Sequence, residues 1–315
     1  MEVAPNPMAF AVLFGLLFTV QLHLAKALER QGIEIFDQIR ARLKKEELEG
    51  EGGLKKPAIY VVGLVLNNTV VFYQVFSAGL AGDASAPVFS SMFGVGLVAL
   101  MLYSHFVLRE GVSRPEWVGS AVLVAGTVVA GVEGATREAV EYVESDVGHY
   151  FLVVAVLLAA LGVAWSFSIK TRSGTGLAFG LFAGACGGLD VATKALGQGL
   201  GQEGAGLLPT TPLGWAIFVG SFAPATTAFL VTQWGFARKA KASRLVPAYN
   251  STYVVVPLAV QVLVKPAYVV TWTTALAVCL VVAGIVLATA FKPDAGPEEG
   301  PERGLEAEPG VTPRT

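Results

Sequence analysis

The sequence predicts an all-α fold, a polytopic membrane helix bundle of about nine transmembrane helices built as an inverted repeat. Three observations predict it. Of 315 residues, 54% are hydrophobic and 15% charged, against about 25% charged in an ordinary soluble domain, and mean hydropathy is +0.61. Apolar runs recur at the length a bilayer demands, roughly 20 helical residues for a hydrocarbon core about 30 Å thick. Basic residues collect in alternate loops, the asymmetry that orients membrane helices.

The runs, in order, are Met8–Leu28, Ala58–Leu80, Ala84–Leu108, Glu116–Val132, Tyr150–Ile169, Leu177–Leu196, Gly214–Ala237, Leu245–Val264 and Val269–Phe291. The first carries Lys26 and Arg30 after its apolar stretch and no small-residue cleavage site, so it reads as a retained helix rather than a secretory signal. Fifteen Lys and Arg fall in the loops after runs one, three, five and seven, from Arg30 to Arg244, while the alternate loops hold Arg137 and Lys265. The N-terminus is therefore expected outside and the C-terminus in the cytoplasm, with the plasma membrane as the location.

Four regions follow. Residues 1–132 form the first transmembrane half, including a cytoplasmic loop at 29–57; 133–149 form an acidic external loop; 150–291 form the second half; 292–315 form a tail. In the first loop, Ile35 or Phe36, Ile39 and Leu43 share a face, as in a helix lying on the inner leaflet or a solvated helical linker. The Pro, Gly and Glu-rich tail cannot bury a core and is expected to be disordered.

The halves echo one another. FGLLFTVQLHLAKALERQG in run one and FGLFAGACGGLDVATKALGQG in run six both open on Phe-Gly-Leu and close on Lys-Ala-Leu; LVAGTVVAG in run four answers VVAGIVLAT in run nine. Between them lie matched glycines (Gly63, Gly220), glutamines (Gln74, Gln233) and prolines opening the next helix (Pro87, Pro247). Four helices are duplicated, with run five left over. An odd number of crossings inverts the second copy, the architecture of many secondary transporters.

The stretch SHFVLREGVSRPEWVGSAVLVAGTVVAG, residues 104–131, with its Leu-basic-Glu turn and glycine-spaced helix, resembles the end of the first half in the drug/metabolite transporter superfamily, whose EamA-type members share this layout. The nine-run topology, the long basic first loop and the pairing of Asn67 with Ala86-Pro87 are similar to the NIPA-type, magnesium-transporter-like branch. Leu64 stands where that branch tends to carry an acid, three positions before the asparagine. The resemblance implies secondary transport, with Mg²⁺ as one cargo.

Asp190, deep in run six, is the residue that most demands a reason, because a charge at mid-bilayer costs roughly 2.5–3.5 kcal/mol on insertion scales. Lys194 follows at i+4 on the same face and can snorkel toward the outer surface. The two form either an internal ion pair that neutralises Asp190 or part of a substrate or proton pathway. Gly180, Gly184 and Gly188 make a close-packing stripe about 160° from Asp190, so both faces of run six need protein or water against them. Asn67 and Asn68 in run two, and Thr226 and Thr227 in run seven, are pathway candidates, or else bond only to neighbouring helices. Gln74, Gln233 and Asn250 are further pathway candidates. Pro224 and Pro257 each free a backbone carbonyl and are expected at broken or hinged helices. His23 and Lys26 are assigned to the inner interface, and Glu110 to a solvated turn. The sequons at Asn67 and Asn250 lie in apolar runs and are not expected to be glycosylated.

The chain has no Walker lysine loop, HExxH or GxSxG, and its three histidines are scattered, which argues against an ATP motor or an enzyme. Cys186 and Cys279 fall in apolar runs and behave as small hydrophobes. No cofactor, resident metal or nucleic-acid partner is expected. Membrane lipid and a small-molecule or cation substrate are the expected partners, with a second copy of the chain a candidate. A non-transporting scaffold or regulatory protein is the remaining alternative.

Overall fold

Apolar runs of bilayer length become helices because, in hydrocarbon, only a helix satisfies its own backbone donors and acceptors. The computed structural model describes residues 7–32, 55–81, 89, 92–107, 113–136, 143–171, 175–201, 207–238, 240, 242–265 and 269–289. The interfacial segment at Ile35–Leu43, the Ala86-Pro87 pair, Glu110 and the tail lie outside these. The described residues form α1 (Pro7–Gly32), α2 (Lys55–Thr69), α3 (Val71–Ala81), α4 (Phe93–Phe106), α5 (Arg114–Thr136), α6 (Asp146–Thr171), α7 (Thr175–Gly199), α8 (Pro212–Gly220), α9 (Phe222–Ala237), α10 (Ala242–Val264) and α11 (Trp272–Thr289). Seven segments are long and apolar enough to cross a membrane, and α4 and α11 are shorter apolar helices. The nine segments fall on the nine expected runs, and the chain is a polytopic helix bundle.

Runs two and seven are each split in two. Run two breaks at Val70, between α2 and α3; run seven breaks at Ser221, between α8 and α9. At the first break Asn68 Nδ2 and Thr69 Oγ1 bond back to the carbonyls of Leu64 (2.8 Å) and Val65 (3.0 Å), the local competition that bends helices. Gln21 of α1 braces the same turn, donating to the Leu66 carbonyl at 2.9 Å. At the second break Ser221 Oγ bonds the Phe218 carbonyl at 2.7 Å, and Pro224 sits in the first turn of α9, where its missing N–H costs little. The expected break at Pro224 is thus present a few residues earlier, at Ser221. Pro257 does not break its helix: α10 runs unbroken through Pro247 and Pro257. Pro247 lies past the first turn of α10 rather than opening it.

The two copies pack alike. α1 lies against α2, α3 and α4, and α7 lies against α8, α9 and α10 in the same order. Across the junction α5 pairs with α11. There the contact is reciprocal: a side chain on Gly126 would meet Val281 N at 2.8 Å, and one on Gly284 would meet Leu123 N at 2.6 Å. Each glycine of the repeated Val-Ala-Gly thus receives the partner's backbone three residues before the other glycine, a local two-fold relation. α6, the unrepeated helix, is peripheral, with 6% of its apolar stretch buried, whereas α7 is central at 67%.

The glycine stripe of α7 faces α10. A Cβ on Gly180 would sit 2.7 Å from Ala248 Cβ, one on Gly184 2.6 Å from the Tyr249 carbonyl carbon, and one on Gly188 2.6 Å from Tyr253 O and 2.9 Å from the Pro257 ring. Without a hydrophobic force between helices in lipid, such backbone approach is what holds them. Of the matched pair Gly63 and Gly220, Gly63 lies 2.9 Å from Glu29 N by the same measure, while Gly220 faces open space.

Candidate functional site

Helix α1 continues past its expected end at Leu28 to Gly32. Gly63 lets α2 approach it there. The end of this helix buries three side chains that the sequence placed at the interface or in the first loop: His23, Lys26 and Glu29. His23 Nδ1 donates to the Thr19 carbonyl at 2.6 Å, and its Nε2 accepts from Asn250 Nδ2 at 2.8 Å, with tautomer and amide orientation following from that pairing. Asn250 is therefore a packing partner of α1 and is absent from the cavity wall.

A cavity of about 240 Å³ lies where the two copies meet. Its wall takes Phe18 and Lys26 from α1; Asn67, Asn68 and Gln74 from the broken second run; Asp190 and Lys194 from α7; Phe222 and Thr226 from α9; and Tyr249 and Tyr253 from α10. Of the expected pathway residues, Asn67, Asn68, Asp190, Thr226, Lys194 and Gln74 meet here. Thr227 and Gln233 do not reach the wall. Thr226 and Thr227 bond the carbonyls of Phe222 and Ala223 one turn back, at 2.8 and 2.9 Å.

Two buried polar clusters flank the cavity, and each spans both copies. In one, Lys194 is ion-paired with Asp190 and donates to Gln74 Oε1 at 3.0 Å, while Gln74 Nε2 donates to Tyr253 Oη at 3.3 Å. Lys194 is 2% exposed. It does not snorkel, because the carboxylate one turn away and a glutamine from the opposite copy hold its ammonium inside. In the other cluster, Asn67 Nδ2 donates to Glu29 Oε1 at 2.9 Å, Gln233 Nε2 donates to Glu29 Oε2, and Tyr60 Oη donates to Gln233 Oε1 at 3.1 Å. The matched glutamines thus do matched work, each reaching a charged side chain of the other copy. Asp190 is not the lone buried carboxylate: Glu29, fully buried, is its counterpart. Asn67 thus has its carboxylate partner on α1.

Lys26 completes the wall. It is 3% exposed, and its Nζ has no hydrogen-bond partner among the described residues. It lies 2.9 Å from the centroid of the Tyr249 ring, a cation-π contact. Tyr249 and Tyr253 stack at 5.8 Å, and Tyr253 stacks on Phe93 at 3.8 Å, so one side of the cavity is aromatic. Sequence reasoning missed Lys26, Glu29, Tyr249 and Tyr253. The signal for Lys26 was present, since its Lys-Ala-Leu repeats that of Lys194.

Fold and site define a polytopic membrane helix bundle with a charged cavity between two copies of a helical unit. The chain is similar to a protein of Arabidopsis thaliana named "Probable magnesium transporter NIPA9", with 27% identity over 150 residues covering 48% of this chain and 41% of that one. The chain thus matches under half the length of that curated relative. No family model matches, and no solved structure matches.

Proposed function

We propose that the chain is a secondary transporter that carries a small solute or cation by alternating access between two inverted halves. The observation that carries this reading is the cavity at the junction, walled by two interrupted helices, one from each copy, and by an ion pair on α7 that a glutamine of the other copy braces. Discontinuous helices around a midplane site recur in secondary transporters because unwound backbone is tolerated in a membrane only where it lines a cavity. In this reading Asn67, Asn68, Asp190 and Thr226 contact the cargo, Lys194 and Gln74 set the charge and position of Asp190, and Gln233 supports Glu29. The bonds Gln74 to Lys194 and Gln233 to Glu29 cross between the copies and must exchange when the halves rock. Val70 and Ser221 are the hinge points. The protein sits in the plasma membrane with its N-terminus outside, and it performs no covalent chemistry.

A second reading takes Mg²⁺ as the cargo, favoured by the name of the relative and by hard oxygen ligands from Asp190, Asn67 and Thr226. Proteoliposome flux tests both. Uptake of Mg²⁺, followed with an entrapped indicator, is compared with uptake of labelled small metabolites, in wild type and Asp190→Asn. Flux in wild type that vanishes in the variant under conditions where the variant is still folded supports a carrier, and the cargo that moves selects the reading. A scaffold would give neither flux nor sensitivity to the substitution.

A further inference from the structure

The hydrogen-bonding groups around the cavity are unequally used. Asp190 is held by Lys194, and both Glu29 oxygens are engaged, one by Asn67 and one by Gln233. Of the two ammonium groups, Lys194 donates to Asp190 and Gln74, whereas Lys26 lines the cavity with its charge facing Glu29 and its Nζ buried without a hydrogen-bond acceptor among the described residues. An ammonium out of water with unmet donors is costly, and an acceptor delivered by a ligand would relieve that cost. We propose that the cavity binds a small organic carboxylate, whose oxygens accept from Lys26 Nζ and whose apolar body rests on Phe18, Tyr249 and Tyr253. This deepens the carrier reading and rests on it.

Chemistry and size favour this ligand class. A divalent cation would meet two ammonium heads, one carboxylate already ion-paired and another with both oxygens engaged, and among the described residues no group of three His, Cys, Asp or Glu stands close enough to hold a metal. Inorganic phosphate would bring two negative charges to aromatic walls and one ammonium without a hydrogen-bond acceptor, lacking the cluster of charged donors such anions ordinarily require. A carboxylate on an apolar body matches both halves of the wall, and 240 Å³, below the roughly 300–1,000 Å³ of drug-sized sites, keeps it small.

The test uses the purified full-length protein in nanodiscs. Melting midpoints are measured with millimolar benzoate, butyrate, the isosteric neutral amides benzamide and butyramide, MgCl₂ and inorganic phosphate. A carboxylate that binds the folded state raises the midpoint by mass action. Stabilisation by benzoate or butyrate, absent for the amides and at least tenfold weaker in affinity for Lys26→Met, is the expected result. Equal stabilisation by acid and amide, no effect of either acid, stabilisation only by Mg²⁺ or phosphate, or undiminished binding in Lys26→Met would each overturn it. The acid-against-amide comparison needs only wild type, so it decides even if the variant fails to fold. Counterflow of labelled benzoate in proteoliposomes separates this proposal from the one it rests on: carboxylate binding without flux sinks the carrier and leaves the Lys26 site standing, whereas flux of other solutes without carboxylate binding does the reverse.

Discussion

At the residue scale, the pair Asp190 and Lys194 sets the strictest condition. Both are buried, and removing one member of a buried pair leaves the other charge uncompensated, at a cost of about 3–5 kcal/mol. Asp190→Asn is therefore expected to lower the melting midpoint sharply, and adding Lys194→Met to it should recover most of the loss. A thermal unfolding series on the three variants checks this; a double variant as unstable as the single one would mean the ion pair is not the cause. The neighbouring cluster gives a second expectation. Glu29 holds Asn67 and Gln233 together, so Glu29→Gln and Gln233→Leu should be non-additive, coupled by about 1 kcal/mol or more in a double-mutant cycle. Asp190 was legible in the sequence because a carboxylate in the middle of an apolar run has few bland explanations. Glu29 was not, because it follows the apolar stretch, where charges usually meet headgroups. Its burial depends on α2 closing over the last turn of α1, a contact between residues far apart in the chain.

At the element scale, glycine placement decides which helices touch. Gly184 approaches the α10 backbone, and Gly126 and Gly284 approach each other's helices reciprocally. Gly184→Leu should separate α7 from α10 at a cost of about 1–3 kcal/mol, the usual range for overpacking. Gly126→Leu and Gly284→Leu should cost nearly equal amounts, because each meets the same partner geometry. Unfolding midpoints of the three variants test this, and strongly unequal effects of the last two would argue against the two-fold relation at that interface. The stripe Gly180, Gly184, Gly188 and the repeated Val-Ala-Gly are legible in the sequence as spacing alone, since small residues four apart have a direct geometric meaning. The break at Val70 is not. Run two contains no proline, and its interruption arises from side chains bonding back to their own helix and from Gln21 arriving from α1. Likewise Pro257, which reads as a breaker, sits against Gly188 within an intact α10.

At the scale of the whole molecule, the loop charges and the nine apolar segments make an orientation testable. Ser113→Cys, at the start of α5, is expected to react with impermeant maleimide only from the inside, and Leu207→Cys, in the turn before α8, only from the outside. Labelling both from the same side would contradict the alternation on which inversion depends. Native Cys186 is buried, so a background lacking Cys279 suffices.

The sequence by itself determined the class of this molecule: apolar runs of bilayer length, with basic loops alternating between them, form helices that satisfy their own backbone within lipid. It also determined the duplicated unit and the carboxylate at its centre, because periodicity and a misplaced charge are local properties that survive without neighbours. Tertiary structure alone decided what the cavity offers. Whether a lysine at a helix end lies in the headgroups or in a wall, and whether its donors are spent or free, depends on which helices close over it, and that closure is fixed by packing between residues distant in sequence.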